Sequence, residues 1–262
     1  MPLADKQVQA FAARLERARE KRRPIAPLTD EARGMTLEDG YRIQRALLRA
    51  RTRAGERVVG WKVGLTSAAP RAQIGIDEPI CGFVVASVVY ADGAAIETGR
   101  LIAPGAEAEI AFLMRDALAG PGVTLNTALL AVEGALPALE IVDSRYREWK
   151  FKAPDLAADN AAQAGIVVGG RTMPLAELDL PLEGLVWEQN GQVVATATGA
   201  EVGGTPLTSV VWLANKLGEW GLSLHPGDIV LAGALAKILR PRAGESVRAR
   251  FTHLGSVSAR FV

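Results

Sequence analysis

Glu107 and Glu109 stand two residues apart in the run Pro104-Gly105-Ala106-Glu107-Ala108-Glu109-Ile110-Ala111-Phe112-Leu113-Met114. The run reads as a strand, apolar with Gly and Pro at its mouth. Strand side chains alternate between faces, so the two carboxylates point the same way, with Cα atoms roughly 6–7 Å apart. Ala108, Ile110, Phe112 and Met114 point the other way, into a core. Like charges so placed repel unless something positive lies between them. A hard divalent cation, which prefers oxygen ligands, meets that need. A solvated sheet face would show the same alternation.

A second stretch, Leu136-Pro137-Ala138-Leu139-Glu140-Ile141-Val142-Asp143, carries a lone carboxylate inside an apolar run. Buried carboxylates need a charge partner, hydrogen bonds or a metal. Glu140 could be neutralised by a buried Arg or Lys. A metal site of Glu107, Glu109 and Glu140 is the favoured reading, because it also answers the first strand's need for a third ligand.

Lys62 lies in Arg57-Val58-Val59-Gly60-Trp61-Lys62-Val63-Gly64, another strand pattern, and shares a face with Gly60 and Gly64. Room beside its ammonium suits a carboxylate ligand or a proton carrier, although a lysine snorkelling from a sheet edge fits as well. Thr66 and Ser67 add two hydroxyls next to it. The segment 143–150 is charged yet carries Tyr146 and Trp149, which suits a functional loop better than a linker.

These residues need a scaffold. The spacing of Val8, Phe11, Ala12 and Leu15 predicts a helix over 6–22. A capping-box start at Thr36-Leu37-Glu38-Asp39 predicts a second helix to about Ala54. Residues 1–55 are therefore expected to form an N-terminal helical cap on a domain spanning 56–262. Further expectations are a strand from Cys81 to Tyr90, a helix from Thr124 to Glu133, and a hairpin over 184–198 turning at Asn190-Gly191. A helix opens at Thr205-Pro206, and strands follow near 228–232, 247–252 and 256–262. Short strands with scattered helices indicate an α+β fold on mixed or antiparallel sheets. The glycines at 199–204 and Gly233 do not fit phosphate-loop spacing and read as tight turns near a site.

Composition narrows the function classes. The 262 residues carry a formal net charge of +1 and only 5% aromatics, which excludes a field or stacking surface selecting nucleic acid. Hydrophobic content of 49% is ample for a core, but no apolar run approaches bilayer length. No secretory leader pattern is expected at the N-terminus, and the single cysteine, Cys81, suits a reducing, cytoplasmic setting. His225 and His253 lie outside zinc or Ser-His-Asp spacing.

Five segments, in order, resemble the 2-oxopent-4-enoate hydratase and 4-oxalocrotonate decarboxylase family of the fumarylacetoacetate hydrolase superfamily. They are Gly60-Trp61-Lys62-Val63-Gly64-Leu65-Thr66-Ser67, Glu107-Ala108-Glu109-Ile110, Pro137-Ala138-Leu139-Glu140-Ile141-Val142-Asp143-Ser144-Arg145, Ala158-Asp159-Asn160-Ala161 and Leu254-Gly255-Ser256-Val257. The resemblance implies a mixed β-roll, a Mg²⁺ or Mn²⁺ cofactor and homo-oligomers, with association to a homologous hydratase or decarboxylase also compatible. It implies Glu107, Glu109 and Glu140 as metal ligands and Lys62 near the substrate's carboxylate and keto group. Asp143 and Asp159 are expected to orient Lys62 or a water, and Thr66, Ser67 and Asn160 to bind substrate with Lys62. The implied activity is a lyase: hydration of 2-hydroxypenta-2,4-dienoate-type acids to 4-hydroxy-2-oxo acids in meta-cleavage catabolism of aromatics. Decarboxylation of 2-oxohex-3-enedioate is the alternative, and a non-catalytic partner subunit is the alternative of another class. Three positions depart from the family pattern: Ile80 where hydratases carry an acid, Gly105 for a basic residue, and Ala162 for a serine.

Overall fold

The computed structural model describes residues 2–262. Three helices come first: α1 (Asp5–Lys21), the single turn α2 (Leu28–Glu31) and α3 (Leu37–Arg53). Helix α1 buries Val8, Phe11, Ala12, Leu15 and Ala18 along one stripe. Helix α3 starts at the expected capping box, Thr36 accepting from the Asp39 amide while Asp39 accepts from that of Thr36. Then follow β1 (Val58–Gly64), α4 (Ala68–Ile74), β2 (Ile80–Val85), β3 (Val89–Ala91), β4 (Ala94–Ile96), β5 (Pro104–Met114), α5 (Leu125–Ala131) and β6 (Val132–Asp143). Helix α6 (Ala153–Ala158), β7 (Gln163–Val168), β8 (Gly184–Gln189), β9 (Gln192–Thr198), α7 (Leu207–Gly218), β10 (Ile229–Ala234), β11 (Ser246–Phe251) and β12 (Ser256–Phe261) complete the chain.

The strands form two mixed sheets, one ordered β2-β1-β10-β5-β6-β7-β3 and the other β4-β12-β11-β8-β9. The chain is α+β, as its strand pattern predicts. The β8–β9 hairpin turns at Asn190 and Gly191 with φ of 52° and 75°, the left-handed pair a two-residue turn requires. Two boundaries differ from expectation. The strand expected over Cys81 to Tyr90 breaks after Val85 into a short helical turn before β3. The helix expected to reach Glu133 stops at Ala131, because Val132 and Gly134 already pair with Met114 and Leu113 of β5. Pairing across the sheet thus outweighs local helix preference there.

The larger sheet is rolled. Strands β1 and β6 are separated by β10 and β5, which in a flat sheet would set them about 14 Å apart. Yet Lys62 on β1 reaches Glu140 on β6 at 2.9 Å. The roll is clamped by Asn160, whose side chain accepts from the Phe83 amide of β2 and donates to the Phe83 carbonyl. Inside the roll, Val84, Ala111, Leu136, Ala138, Ile166 and Leu231 form a small apolar plug. The outer face, with Ala108, Ile110 and Phe112, joins the main core against the helices and the second sheet. Helix α3 closes on α6 so tightly that a Cβ at Gly40 would lie 2.4 Å from the Pro154 carbonyl oxygen. Among the described residues no helix is long and apolar enough to cross a membrane.

Candidate metal centre

The β5–β6 register sets Glu107 directly opposite Glu140, with Glu109 opposite Ala138. All three carboxylates therefore rise from one face, at the end of the plug. One oxygen from each lies within 4.8 Å of the others. Glu109 and Glu140 are fully buried, whereas Glu107 is partly open. Like charges on directly opposed strand residues are destabilising, so the register itself calls for a cation.

The two expectations for Glu140, a metal and a buried basic partner, meet at the same atom. Lys62 Nζ lies 2.9 Å from Glu140 Oε2 as an ion pair. It donates its hydrogen bond to the Ala161 carbonyl, at 3.2 Å. That carbonyl is presented by a turn in which Asn160, Ala161 and Ala162 all have positive φ, 51° to 59°. Such backbone is costly for residues other than glycine, and its place beside Lys62 is where strain tends to be kept. One ammonium cannot neutralise three carboxylates. Glu109 Oε1 and Glu140 Oε1 remain buried without a hydrogen-bond donor, and Glu140 Oε2 has only the Lys62 ammonium beside it. Orphaned buried oxygens cost several kcal/mol in an apolar surround, of order 1–3 kcal/mol each or more when charged. The donor set is all oxygen and suits Mg²⁺ or Mn²⁺.

Titration reflects this crowding. Burial, then the charges of Glu140 and Glu107, hold the Glu109 carboxyl well above the usual range. Burial likewise pushes Glu140 up, to about 7, against the opposing pull of Lys62. Burial works to strip Lys62 of its proton, but the carboxylates of Glu140, Glu107 and Glu109 outweigh it and hold the ammonium above its ordinary range. Glu109 is aimed by one amide, that of Gly233, which donates to Oε2 at 2.7 Å. Gly233 sits at φ +117°, and a Cβ there would meet Thr66 Oγ1 at 2.7 Å, so only glycine fits the bend in β10.

The trio opens into a cavity of about 420 Å³, to which Lys62 and Glu107 contribute directly. Its walls include Trp149 and Phe151 from the charged loop, as that segment's composition suggests. Helix α4 adds Pro70, Gln73 and Ile74. The wall takes Gly64 at the end of β1 and Leu65 beyond it, but neither hydroxyl of Thr66 or Ser67, the expected substrate-binding pair. Thr66 packs on Gly233 instead.

Neither aspartate contacts Lys62. Asp143 accepts from the amides of Ile102 and Ala103 and so fixes the entry to β5. Asp159 is bound by Arg145 through its backbone amide and its guanidinium. Asp143, three residues beyond Glu140 on β6, points to the face opposite the trio, and Asp159, after α6, is turned to Arg145. Asn160 is occupied by β2 in the same way. Asn160→Ala is therefore expected to lower unfolding free energy by about 2–3 kcal/mol, through two lost buried hydrogen bonds, read by urea denaturation. A variant as stable as the parent that lost substrate affinity instead would return Asn160 to the binding set.

Two features of the cavity's surroundings had no sequence signal. Arg240 lies 3.7 Å from the Trp149 ring, and both side chains donate to the Ala103 carbonyl. Leu156 enters the cavity from α6. Both depend on loops meeting from distant parts of the chain.

A rolled sheet holding three converging carboxylates beside a buried lysine defines a class of folds built to chelate a divalent metal. The chain belongs to the fumarylacetoacetate hydrolase family: residues 56–262 match the family's model, described as fumarylacetoacetate (FAA) hydrolase C-terminal. It is 39% identical over 262 residues to the 2-hydroxyhexa-2,4-dienoate hydratase of Comamonas testosteroni, covering 99% of each chain. It is 39% identical to 2-keto-4-pentenoate hydratase 2 of Dechloromonas aromatica, covering 97% of each. Among solved structures it superimposes on 4-oxalocrotonate decarboxylase from Pseudomonas putida G7, complexed with magnesium and adipate. That match has a TM-score of 0.96 and 38% identity, and covers 99% of each chain. Hydratases and decarboxylases of this kind are all lyases.

Proposed function

We propose that this chain is a divalent-metal-dependent hydratase of 2-hydroxypenta-2,4-dienoate-type acids, giving 4-hydroxy-2-oxo acids. The observation that carries the reading is the convergence of Glu107, Glu109 and Glu140 within 4.8 Å at the foot of a cavity that Lys62 also lines. The three glutamates would hold Mg²⁺ or Mn²⁺. When bound, the ion supplies Lewis acidity to a 2-oxo acid's oxygens, favouring enolate character.

The chain's own groups do the rest. Gly233 and the β5–β6 register aim the ligands. Lys62 is the titratable wall residue that is not itself a ligand, so it holds and moves the proton that ketonisation of a dienol requires. Its ammonium also faces the substrate's carboxylate end. Trp149 and Phe151 shield the reacting carbons from bulk water. Residues 1–55 act as a helical cap, and 56–262 carry the centre. We assign the protein to the cytoplasm, as a homo-oligomer within catabolism of aromatic compounds.

Incubation with 2-hydroxypenta-2,4-dienoate and Mg²⁺ should consume the dienoate and form 4-hydroxy-2-oxopentanoate, followed by ultraviolet absorbance and NMR. Decarboxylation of 2-oxohex-3-enedioate is the second reading, favoured by the superposition on a decarboxylase; CO₂ release from that acid would establish it. Turnover of neither substrate with Mg²⁺ or Mn²⁺ would reject both.

The raised carboxyl groups give a pH dependence. Metal ligation needs the carboxylates ionised, so binding expels the proton that Glu140, raised to about 7, holds, together with any held by Glu109, whose carboxyl is also raised. Mg²⁺ affinity should fall as pH drops below about 7, and its calorimetric enthalpy should vary with the ionisation enthalpy of the buffer. Stability runs the other way without metal. Glu140 is raised from 4.5 to about 7 in the folded chain, so its contribution is full below about pH 4.5 and lost as pH rises to 7. In chelator, melting temperature should be lower at pH 8 than at pH 6, and Mg²⁺ should remove the difference.

A further inference from the structure

The indole of Trp149 separates two spaces. On one side it bounds the reaction cavity, where it and Phe151 close the hydrocarbon wall. On the other it bounds an open outer hollow of about 450 Å³, lined also by Ala103, Pro104, Glu148 and Arg240. The turn that carries the indole is costly to hold. Glu148 and Trp149 lie consecutively at φ 54° and 56°, left-handed backbone that residues with side chains avoid. The stem before them is fixed, since Arg147 donates its amide to the Ile25 carbonyl at 3.0 Å. Beyond the stem, Glu148 and Lys150 are exposed, and their ion pair adds little.

Arg240 is the group that holds the indole. Its guanidinium stacks 3.7 Å from the ring centroid. One guanidinium nitrogen and the indole Nε1 both donate to the Ala103 carbonyl, each at 3.1 Å. Both anchors of this latch are tied to β5. Asp143 holds the Ala103 amide at 2.7 Å. Leu239, next to Arg240, exchanges both backbone hydrogen bonds with Ala106. Glu107 and Asp143 act on the Arg240 charge from a distance, and neither is its hydrogen-bond partner.

From this arrangement we infer that Arg240 is a positioning residue for the reaction, acting through Trp149. It latches the strained indole over the cavity, so the wall is already formed when the acid arrives. The inference rests on the metal-dependent lyase reading and adds to it a residue from outside the cavity wall. Without the guanidinium the turn relaxes toward the outer hollow, and the closed wall becomes a minor state. Apparent affinity for an acid then falls in proportion to the fraction of chains with the wall in place. A cation–aromatic stack plus one hydrogen bond is worth about tenfold in such an equilibrium. The carboxylate trio is untouched, and a bound acid closes the same wall. KM should therefore rise about tenfold in Arg240→Met while kcat changes little.

The test is a double-mutant cycle of Arg240→Met and Trp149→Ala in the full-length protein. Each variant is titrated calorimetrically with Mg²⁺ and then with 2-oxopentanoate, which lacks the double bond to be hydrated. Arg240→Met should weaken the acid about tenfold when Trp149 is present, but by less than about twofold when it is already alanine. Mg²⁺ should bind every variant at least as tightly as the parent. Acrylamide should quench tryptophan fluorescence more strongly in Arg240→Met than in the parent, and this difference should vanish in the Trp149→Ala background. An equal loss of acid affinity with and without Trp149 would show Arg240 acting on the acid directly. Unchanged acid affinity in Arg240→Met would show that nothing is latched, and weakened Mg²⁺ binding would place the effect on the trio. Any of these three results would overturn the inference and leave the lyase reading standing. Failure of the parent to bind 2-oxopentanoate in a Mg²⁺-dependent way would overturn the lyase reading itself, and this inference with it.

Discussion

Lys62→Met is expected to reduce turnover by at least about 10³-fold while Mg²⁺ binds as tightly as before or more tightly. General acid–base groups contribute about 10²–10⁴-fold, and among the wall residues no other titratable side chain is free of the ligand set. The sign of the metal effect follows from charge. Lys62 Nζ lies 2.9 Å from Glu140 Oε2 and competes with a cation for it. Methionine keeps the unbranched stem as far as Cε and removes the competing ammonium. The same change leaves three crowded carboxylates without their cation, so the metal-free variant should lose about 3–5 kcal/mol of stability, the cost of breaking a buried pair. Mg²⁺ should restore most of it. Lost activity with weakened metal binding would show instead that Lys62 serves mainly to organise the ligands.

Glu107→Gln should behave in the opposite manner. Glutamine keeps the shape and one oxygen but removes a charge from the only trio member that is partly open, so the fold is retained. Mg²⁺ affinity should fall by at least about 100-fold and turnover with it, since a hard dication draws its affinity from anionic oxygens. The metal-free variant should melt higher than the parent, because Glu107 raises the carboxyl groups of Glu109 and Glu140 by repulsion. Their protons should come off at lower pH once it is neutral. Isothermal titration and thermal melts with and without chelator read both effects. Full metal affinity in this variant would count decisively against the carboxylate centre.

The two variants together separate ligand from proton carrier. One keeps the metal and loses chemistry, and the other loses both. Their metal-free stabilities move in opposite directions, which a merely damaged fold would not produce.

Much of this centre was legible along the chain. Alternation at Glu107 and Glu109 fixed their common face, and the apolar surround of Glu140 marked it as a carboxylate needing a partner. Those are local facts, set by the two-residue period of a strand and the cost of burying charge. The capping box at Thr36 and the left-handed turn at Asn190-Gly191 were legible for the same reason: each is settled within four residues. Local sequence was silent or misleading wherever an answer depended on distant strands. The register that opposes Glu107 to Glu140 joins segments some thirty residues apart. The contact of Lys62 with Glu140 exists only because the sheet rolls across two intervening strands. Asp143, Asp159 and Asn160 read as candidate site groups because they neighbour site residues in sequence. Tertiary structure sets the polar atoms of Asp143, Asp159 and Asn160 against β5, Arg145 and β2, partners the local sequence does not name. The hydrocarbon wall was equally hidden, since its residues come from α4, β2, α6 and the Trp149 loop. Local periodicity tells which way a side chain faces. What it faces is decided by curvature and register, which no short stretch of chain contains.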